Sequence, residues 1–187
     1  MTAVLIRHGR TQGNFEGRYI GSGTDEPLCA RGVEELRARV YPDVSRVYVS
    51  PMLRCVQTAA LIYPRHTPIV VPDLRECGFG AFEGKNYAEL NGNPDYQRFI
   101  DSGGEAAFPG GEARADFAAR CVRAFEALLP GTRGAAAAFI VHGGTIMAVM
   151  ERYARPRGRY FDFQVRGGEG YVLLDGGEYE KLGSAKR

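Results

Sequence analysis

The sequence predicts an α/β fold, a three-layer αβα sandwich whose central sheet is mostly parallel with an antiparallel edge. Two observations predict it. Short apolar runs alternate with longer helical patterns along most of the chain, and the C-terminal end holds strand-like runs close together in sequence. Alternation with helices is typical of parallel strands, whereas closely spaced strands are typical of antiparallel neighbours.

The predicted strands are brief apolar runs that end at polar or glycine residues. They are Thr2 to Ile6, Arg46 to Val49, Ala137 to Val141, Tyr160 to Val165, Gly170 to Leu174 and Glu178 to Leu182. Asp175-Gly176-Gly177 predicts a tight turn between the last two strands. A further strand-like run, IVVPDLR, precedes Glu76.

Three helices are predicted between the strands. Ser50-Pro51 fits a cap followed by proline at the first helical position, which predicts a helix over Met52 to Ile62. A second helix is predicted from Glu112 to Leu129, because its apolar residues share one helical face. Those apolar residues are Phe117, Cys121, Phe125, Leu128 and Leu129, and the residues off that face are Arg114, Asp116, Arg120 and Arg123. The run IMAVMERY predicts the third helix.

One long segment, Gly84 to Gly111, breaks the alternation. It is rich in Gly, Asn, Pro and Asp around two short helical patterns, KNYAEL and PDYQRFI. Loop-rich insertions of this size usually have a function, such as covering a site. We therefore expect a single domain, residues 1–187, with a lid insertion at about residues 84–111. Its aromatic residues either line a substrate pocket or are buried under the lid: Tyr87, Tyr96, Phe99 and Phe108.

Composition and charge exclude several classes of protein. Of the 187 residues, 44% are hydrophobic and 25% charged, enough apolar material for one core. The formal net charge is +2 with no long run of either sign, so no nucleic-acid partner is expected. Four widely spaced cysteines lack zinc-site spacing and are expected to be reduced thiols. Without a signal peptide or a run long enough to span a bilayer, we expect a cytoplasmic protein without a membrane partner.

Positively charged and histidine side chains follow three of the predicted strands. Arg7-His8-Gly9 ends the first strand, and His142-Gly143-Gly144 ends the strand that finishes at Val141. Arg54 lies in the first turn of the helix after the strand that ends at Val49. Ligands of open α/β sheets bind beyond the carboxyl ends of the strands, so these groups are predicted to meet. Together they predict an anion site that contains a nucleophile.

This set of side chains favours phosphoryl transfer. Guanidinium groups match phosphate geometry bidentately, and an imidazole can attack phosphorus and hold it as phosphohistidine. The leaving alkoxide then needs a proton, which Glu76 or Glu83 could supply. We prefer Glu76, which ends a strand-like run, although physical reasoning from the sequence barely separates the two.

Five stretches together resemble the histidine phosphatase superfamily, also called phosphoglycerate-mutase-like. They are RHGRTQGN, SPMLRCVQTA, LRECGFGAFEG, FPGGE and VHGGTI, which occur in the family's order from residue 2 to about residue 150. The third and fourth stretches are most similar to those of small bacterial α-ribazole phosphatases. Arg10 departs from the Glu or Gln often found after the RHG motif, particularly in mutases, which weakens the mutase alternative.

The resemblance implies a phosphoglycerate-mutase-like fold and a role for each matching residue. The catalytic set is His8 as the phosphorylated nucleophile and Glu76 as the proton donor, with His142, Arg7 and Arg54. Arg7, Arg54 and His142 also bind substrate, as do Asn14, Thr11, Gly21 and Gly143. The resemblance implies no metal and no cofactor.

Three functions follow, in order of preference. The first is a metal-independent hydrolase of small phosphomonoesters, with α-ribazole 5′-phosphate as one candidate substrate. The second is a phosphoglycerate mutase, and the third is a non-catalytic phosphate-binding module. The expected partner is a small phosphorylated substrate, and the sequence does not predict an oligomeric state. The basic cluster from Arg152 to Arg159 is expected to be a solvated loop, or to steer anions.

Overall fold

The structure, a computed structural model, describes residues 1–132 and 134–182. Its helices and strands alternate along most of the chain, as predicted. They are β1 Thr2–Arg7, α1 Gln12–Phe15, α2 Ala30–Arg37, β2 Arg46–Val49, α3 Leu53–Ile62, β3 Ile69–Val70, α4 Tyr87–Leu90, α5 Pro94–Asp101, α6 Arg114–Leu128, β4 Ala137–Val141, α7 Gly143–Tyr153, β5 Gly170–Leu174 and β6 Tyr179–Leu182. None of the helices in these described ranges has the length and hydropathy that crossing a bilayer requires.

The six strands form one sheet in the order β3-β2-β4-β1-β5-β6. The first four in that order run parallel to their neighbours, whereas β5 pairs antiparallel with both β1 and β6. Gly176 and Gly177, between β5 and β6, have φ values of +83° and +93°, which favour glycine. The predicted mostly parallel sheet, antiparallel edge and turn are confirmed.

Helices cover both faces of this sheet because neighbouring residues of a strand point to opposite sides. Leu5 of β1 shares a buried cluster with Phe125 of α6. Its neighbour Ile6 belongs to the cluster on the other face, with Cys55 and Ala59 of α3. Every residue of β4 is buried, as expected of a strand covered on both faces. The predicted three-layer arrangement is confirmed.

The segment from Tyr160 to Val165 is not a strand, contrary to the prediction. Residues Tyr160–Phe163 form one turn of 3-10 helix. Asp162 Oδ2 accepts a hydrogen bond from the N–H of Arg159 at 2.8 Å, which stabilises the turn. Phe163 is buried, so the run is apolar because it packs against the core and not because it pairs with a strand.

Helix α3 begins at Leu53, so Pro51 is not its first residue and Ser50 does not cap it, contrary to the prediction. The N–H of Leu53 donates instead to Asp25 Oδ1 at 2.7 Å. The hydroxyl of Ser50 lies 2.7 Å from His142 Nε2. The Ser50 hydroxyl therefore contacts His142, and Asp25, which is distant in sequence, accepts a hydrogen bond from the start of α3.

Arg120 of α6 is buried, although the helical pattern predicted it off the buried face. Its guanidinium donates to both carboxylate oxygens of Glu112, at 2.9 and 2.7 Å, and to the carbonyl of Asp73 at 2.7 Å. A charged side chain is rarely this buried unless it is paired. The helix itself is confirmed, with bounds inside the predicted range.

Candidate active site

The carboxyl ends of β1 and β4 bring the two motif histidines together. Arg7 pairs with Val141 in the parallel register, and the N–H of His8 donates to the carbonyl of Val141 at 2.9 Å. The next residue of each strand is therefore a histidine at the same edge of the sheet. The rings of His8 and His142 lie 5.1 Å apart between centroids, at an interplanar angle of 65°. The predicted meeting of the strand ends is confirmed.

His8 is held in the tautomer that a nucleophile needs. Its Nδ1 lies 2.6 Å from the carbonyl oxygen of Gly9, and because a carbonyl only accepts, Nδ1 carries the proton. In the neutral ring, Nε2 therefore keeps its lone pair. Burial, followed by the nearby Arg54 and Arg7 guanidiniums, lowers the pKa of His8 well below its ordinary value of 6.5. The imidazole is thus neutral and nucleophilic at neutral pH.

His142 is fully buried between a hydroxyl and a carboxyl group. Its Nε2 lies 2.7 Å from Ser50 Oγ, and its Nδ1 lies 3.7 Å from Glu76 Oε2. Burial is the main cause that lowers its pKa well below 6.5, and His8 and the Arg54 guanidinium add to it. The ring is therefore neutral unless a bound anion raises its pKa.

Arg54 is a completely buried cation at the centre of this site. Its guanidinium donates to the carbonyls of Thr24, Ile20 and Gly21, at 2.9, 3.4 and 3.1 Å. Its Nε is one of two buried side-chain polar atoms without a hydrogen-bond partner in the described part of the chain. An unpaired buried donor typically costs about 1–3 kcal/mol, a cost that an anionic ligand accepting from it would offset.

Arg7, Asn14 and Thr11 form the side of the site that follows β1. Arg7 Nη1 donates to the carbonyl of Val165 at 2.7 Å. The N–H of Thr11 donates to Asn14 Oδ1 and the N–H of Asn14 donates to Thr11 Oγ1, at 3.2 and 3.3 Å, so the two residues cap α1. Thr11 is fully buried and its hydroxyl is used in the cap, whereas the amide nitrogen of Asn14 remains a donor.

The two candidate acids occupy different places. Glu76 Oε1 accepts the N–H of Cys77 at 3.0 Å. Burial raises the pKa of Glu76 above its ordinary value of 4.5, although the Cys77 N–H and the Arg54 guanidinium oppose the shift. The Glu83 carboxylate instead accepts the N–H groups of Gly21 and Phe79, at 2.7 and 3.1 Å. The geometry favours Glu76 as the proton donor.

Two glycines at this site have no room for a side chain. A Cβ on Gly21 would lie 2.3 Å from the carbonyl oxygen of Cys77, and one on Gly144 would lie 2.7 Å from Phe117 and 3.2 Å from Glu76 Oε1. Gly21 thus brings its carbonyl to Arg54, and Gly144 lets the start of α7 approach the acid. Gly21 was predicted to lie against substrate, but the cavity beside the site does not include it.

A cavity of about 660 Å³ borders the site. The predicted site residues that line it are Arg7, Asn14, Glu76 and Gly143. His8 is 3% exposed, Arg54 and His142 are fully buried, and these three do not line the cavity. Thr11 does not line it either. The site thus combines four residues that line the cavity with others that are buried.

The predicted insertion forms part of the cavity wall. Phe99 and Phe108 line the cavity, whereas Tyr87 and Tyr96 do not. Tyr87 is 74% exposed, and the ring of Tyr96 packs against Phe82 at 5.6 Å between centroids. The four arginines of the basic cluster from Arg152 to Arg159 are exposed, as predicted, and lie outside the cavity lining.

Among the lining residues that were not predicted as site residues are Arg114, Tyr160 and Phe161. Arg114 Cζ lies 5.1 Å from the Tyr160 ring centroid and 5.7 Å from that of Phe161. Their approach depends on tertiary packing between α6 and the segment after α7, for which the sequence has no spacing signal. The two aromatic residues were instead assigned to a strand.

We expect the free energy of unfolding to decrease as the pH falls from about 7 to about 5. The unfolded chain binds protons at His8 and His142 below about 6.5, while the folded protein does not, so acid favours unfolding. Each histidine contributes up to about 1.4 kcal/mol per pH unit in this window. Urea unfolding of the wild type and of His142→Asn over this range measures the slope. His142→Asn should reduce it, and equal slopes in the two proteins would contradict the assignment.

The sequence matches the family model described as "Histidine phosphatase superfamily (branch 1)" over residues 3–179. A probable phosphatase of Schizosaccharomyces pombe is 31% identical over 176 residues, covering 87% of this chain and 78% of that protein.

Two solved structures have similar folds along nearly the whole chain. The α-ribazole phosphatase from Shigella flexneri superposes with a TM-score of 0.83 at 25% identity, covering 99% of this chain and 97% of that one. A phosphoglycerate mutase from Thermus thermophilus gives a TM-score of 0.75 at 30% identity, covering 98% and 99%.

Proposed function

The chain belongs to the histidine phosphatase superfamily, whose members are phosphatases or mutases, and we propose that it hydrolyses small phosphomonoesters through a phosphohistidine at His8. The observation that carries the proposal is the state of His8. Its Nδ1 proton is held by the Gly9 carbonyl, its pKa is lowered, and the ring lies beside buried Arg54. This combination supplies a neutral nucleophile and a positive environment for phosphate.

In the proposed first step, the phosphoryl group binds to Arg7, Arg54, Asn14 and His142. His8 Nε2 attacks phosphorus, and the P–O bond to the alcohol breaks as the N–P bond forms. The proton of Glu76 passes to the departing alkoxide. The raised pKa of Glu76 supports this role, because the carboxyl group keeps its proton closer to neutral pH.

In the second step, the same groups act in reverse. The Glu76 carboxylate accepts a proton from water as the water oxygen attacks phosphorus. The N–P bond breaks, and its electron pair returns to His8 Nε2. Inorganic phosphate leaves, and Glu76 is protonated again. The Gly9 carbonyl holds the Nδ1 proton throughout and so stabilises the positive ring of the phosphohistidine.

Arginine and imidazole groups supply the charge stabilisation in this mechanism, so metal independence stays a prediction of the proposal. Two guanidiniums and the Asn14 amide supply donors around the phosphoryl oxygens. We expect the reaction rate to be unchanged when a chelator is present.

A phosphoglycerate mutase is the second candidate, because the T. thermophilus structure of that name aligns along almost the whole chain. A mutase returns the phosphoryl group from the histidine to its product, so it releases little inorganic phosphate. The same phosphohistidine would then need priming by a phosphorylated compound.

Phosphate release separates the two candidates. Purified protein would be incubated with α-ribazole 5′-phosphate, 3-phosphoglycerate and a simple alkyl phosphate, with a chelator and without one. We expect release of inorganic phosphate at a rate that the chelator does not change. Interconversion of phosphoglycerates without release would support the mutase and contradict the hydrolase, and a rate that falls to zero with chelator would contradict metal independence.

A further inference from the structure

We propose that the cavity wall selects a phosphomonoester whose alcohol portion carries a neutral aromatic ring, and that Phe161 and Phe99 contact that ring. The inference rests on the proposed function for the position of the phosphoryl group at Arg7. It adds to that function the chemical class of the leaving group and two residues that determine specificity.

Aromatic side chains form a large part of the cavity wall. Seven of them line the cavity, and they come from four separate parts of the chain. Tyr19 is at the centre of one cluster, with its ring 5.3 Å from Phe79 and 6.1 Å from Phe108 between centroids. Such a wall binds a flat apolar group through burial and ring contacts.

Two of the apolar side chains that line the cavity are about half exposed. Phe161 is 53% exposed and Ile100 is 50% exposed. A Cβ built on Gly104 would lie 3.5 Å from Phe161 Cζ and 3.6 Å from Phe99 Cζ, so both rings flank this glycine. An exposed apolar surface that rims a concave site is typical of a ligand contact. We therefore place the aromatic ring of the substrate against both phenylalanines, between the insertion and the segment after α7.

The charges on the wall argue against a second anionic group on the substrate. Besides Arg7, the arginines in the described lining are Arg18 and Arg114. Arg18 is paired with Glu16 and Glu89 at 2.6 and 2.7 Å.

The other wall arginine is neutralised in the same way. Arg114 pairs with Glu105 and packs over the rings of Tyr160 and Phe161. An additional carboxylate or phosphate would meet the negative charge of these glutamates beside the arginines. A neutral aromatic ring carries no charge for these glutamates to repel.

Binding of phosphonates tests this class without requiring hydrolysis. Calorimetric titrations of the protein would compare propylphosphonate, phenylpropylphosphonate and the latter with a para carboxylate. We expect the ring to lower Kd by about tenfold, in line with a buried aromatic contact, and the carboxylate to remove most of that gain. Phe161→Ala should reduce the ring preference severalfold and leave propylphosphonate binding unchanged. Phe161→Leu should retain part of the preference.

Tyr87→Ala is the matched control, because Tyr87 is an exposed aromatic residue outside the cavity lining. It should keep the full preference. Equal affinity for the three phosphonates, tightest binding of the carboxylated one, or an unchanged preference in Phe161→Ala would overturn the inference. Failure of the proposed function would give a different result. Ring-selective binding without any phosphate release would contradict the proposed hydrolase activity but would still support the proposed ring specificity.

Discussion

Replacing His8 by alanine is expected to lower kcat/KM for phosphate release by about four orders of magnitude or more, as loss of a covalent nucleophile does elsewhere. Among the described residues, no other imidazole is placed to substitute for it. His142 is the nearest imidazole, but it is fully buried, and its Nε2 and Nδ1 face Ser50 and Glu76. The measurement is initial-rate phosphate release from an alkyl phosphate, with circular dichroism to verify the fold.

A trapping experiment identifies the intermediate directly. Wild-type protein would be mixed with substrate labelled in its phosphoryl group, and the reaction would be stopped in alkaline denaturant. The protein should retain the label, because phosphohistidine is stable in base and is hydrolysed in acid. The label should be absent from His8→Ala and present in His66→Ala, whose Nε2 lies 2.9 Å from the Val44 carbonyl, outside the site. Labelled His8→Ala would disprove the assignment of the nucleophile.

The parts of the site that the sequence predicts are those that follow from sheet geometry. His8 and His142 each come directly after a strand, and parallel pairing of β1 with β4 is sufficient to bring them together. Arg54 is the second residue of a helix that follows a third strand, so sheet geometry also determines which edge of the sheet it reaches. Such positions depend on local patterns and on the general rule for open α/β sheets.

Other features depend on distant contacts and are not visible in a local pattern. Helix α2 begins after Cys29, whose sulfur accepts the N–H of Gly32 at 3.3 Å, and no serine, threonine, asparagine or aspartate marks its start. Ser50 has the sequence signature of a cap, but its hydroxyl is used by His142. In both cases the usual signal for a helix start is missing or used elsewhere.

The choice between Glu76 and Glu83 also depends on distant contacts that a local sequence pattern does not show. Both are glutamates in one glycine-rich stretch, and their spacing from the motifs does not distinguish a buried acid from a structural one. Tertiary structure separates them, because Gly21 and Phe79 donate N–H groups to Glu83, while Glu76 lies against His142. These tertiary contacts therefore favour Glu76 as the proton donor.

Replacing Glu76 by glutamine is expected to lower kcat/KM by about a hundredfold or more for alkyl phosphates, whose alkoxide leaving group needs a proton. For p-nitrophenyl phosphate the loss should be less than about tenfold, because p-nitrophenolate leaves without protonation. The comparison uses kcat/KM because this ratio includes only steps up to phosphorylation of His8, and so excludes the later role of Glu76 as a base.

The pH dependence of the same variants tests the raised pKa of Glu76. With alkyl phosphates, kcat/KM of the wild type should fall as the pH rises through that pKa, because the acid loses its proton. Glu76→Gln should lack this fall. Glu83→Gln should show the wild-type dependence on both pH and leaving group, because the Glu83 carboxylate accepts two backbone N–H groups and is not assigned as the acid. If only Glu83→Gln showed a leaving-group effect, Glu83 and not Glu76 would be the proton donor.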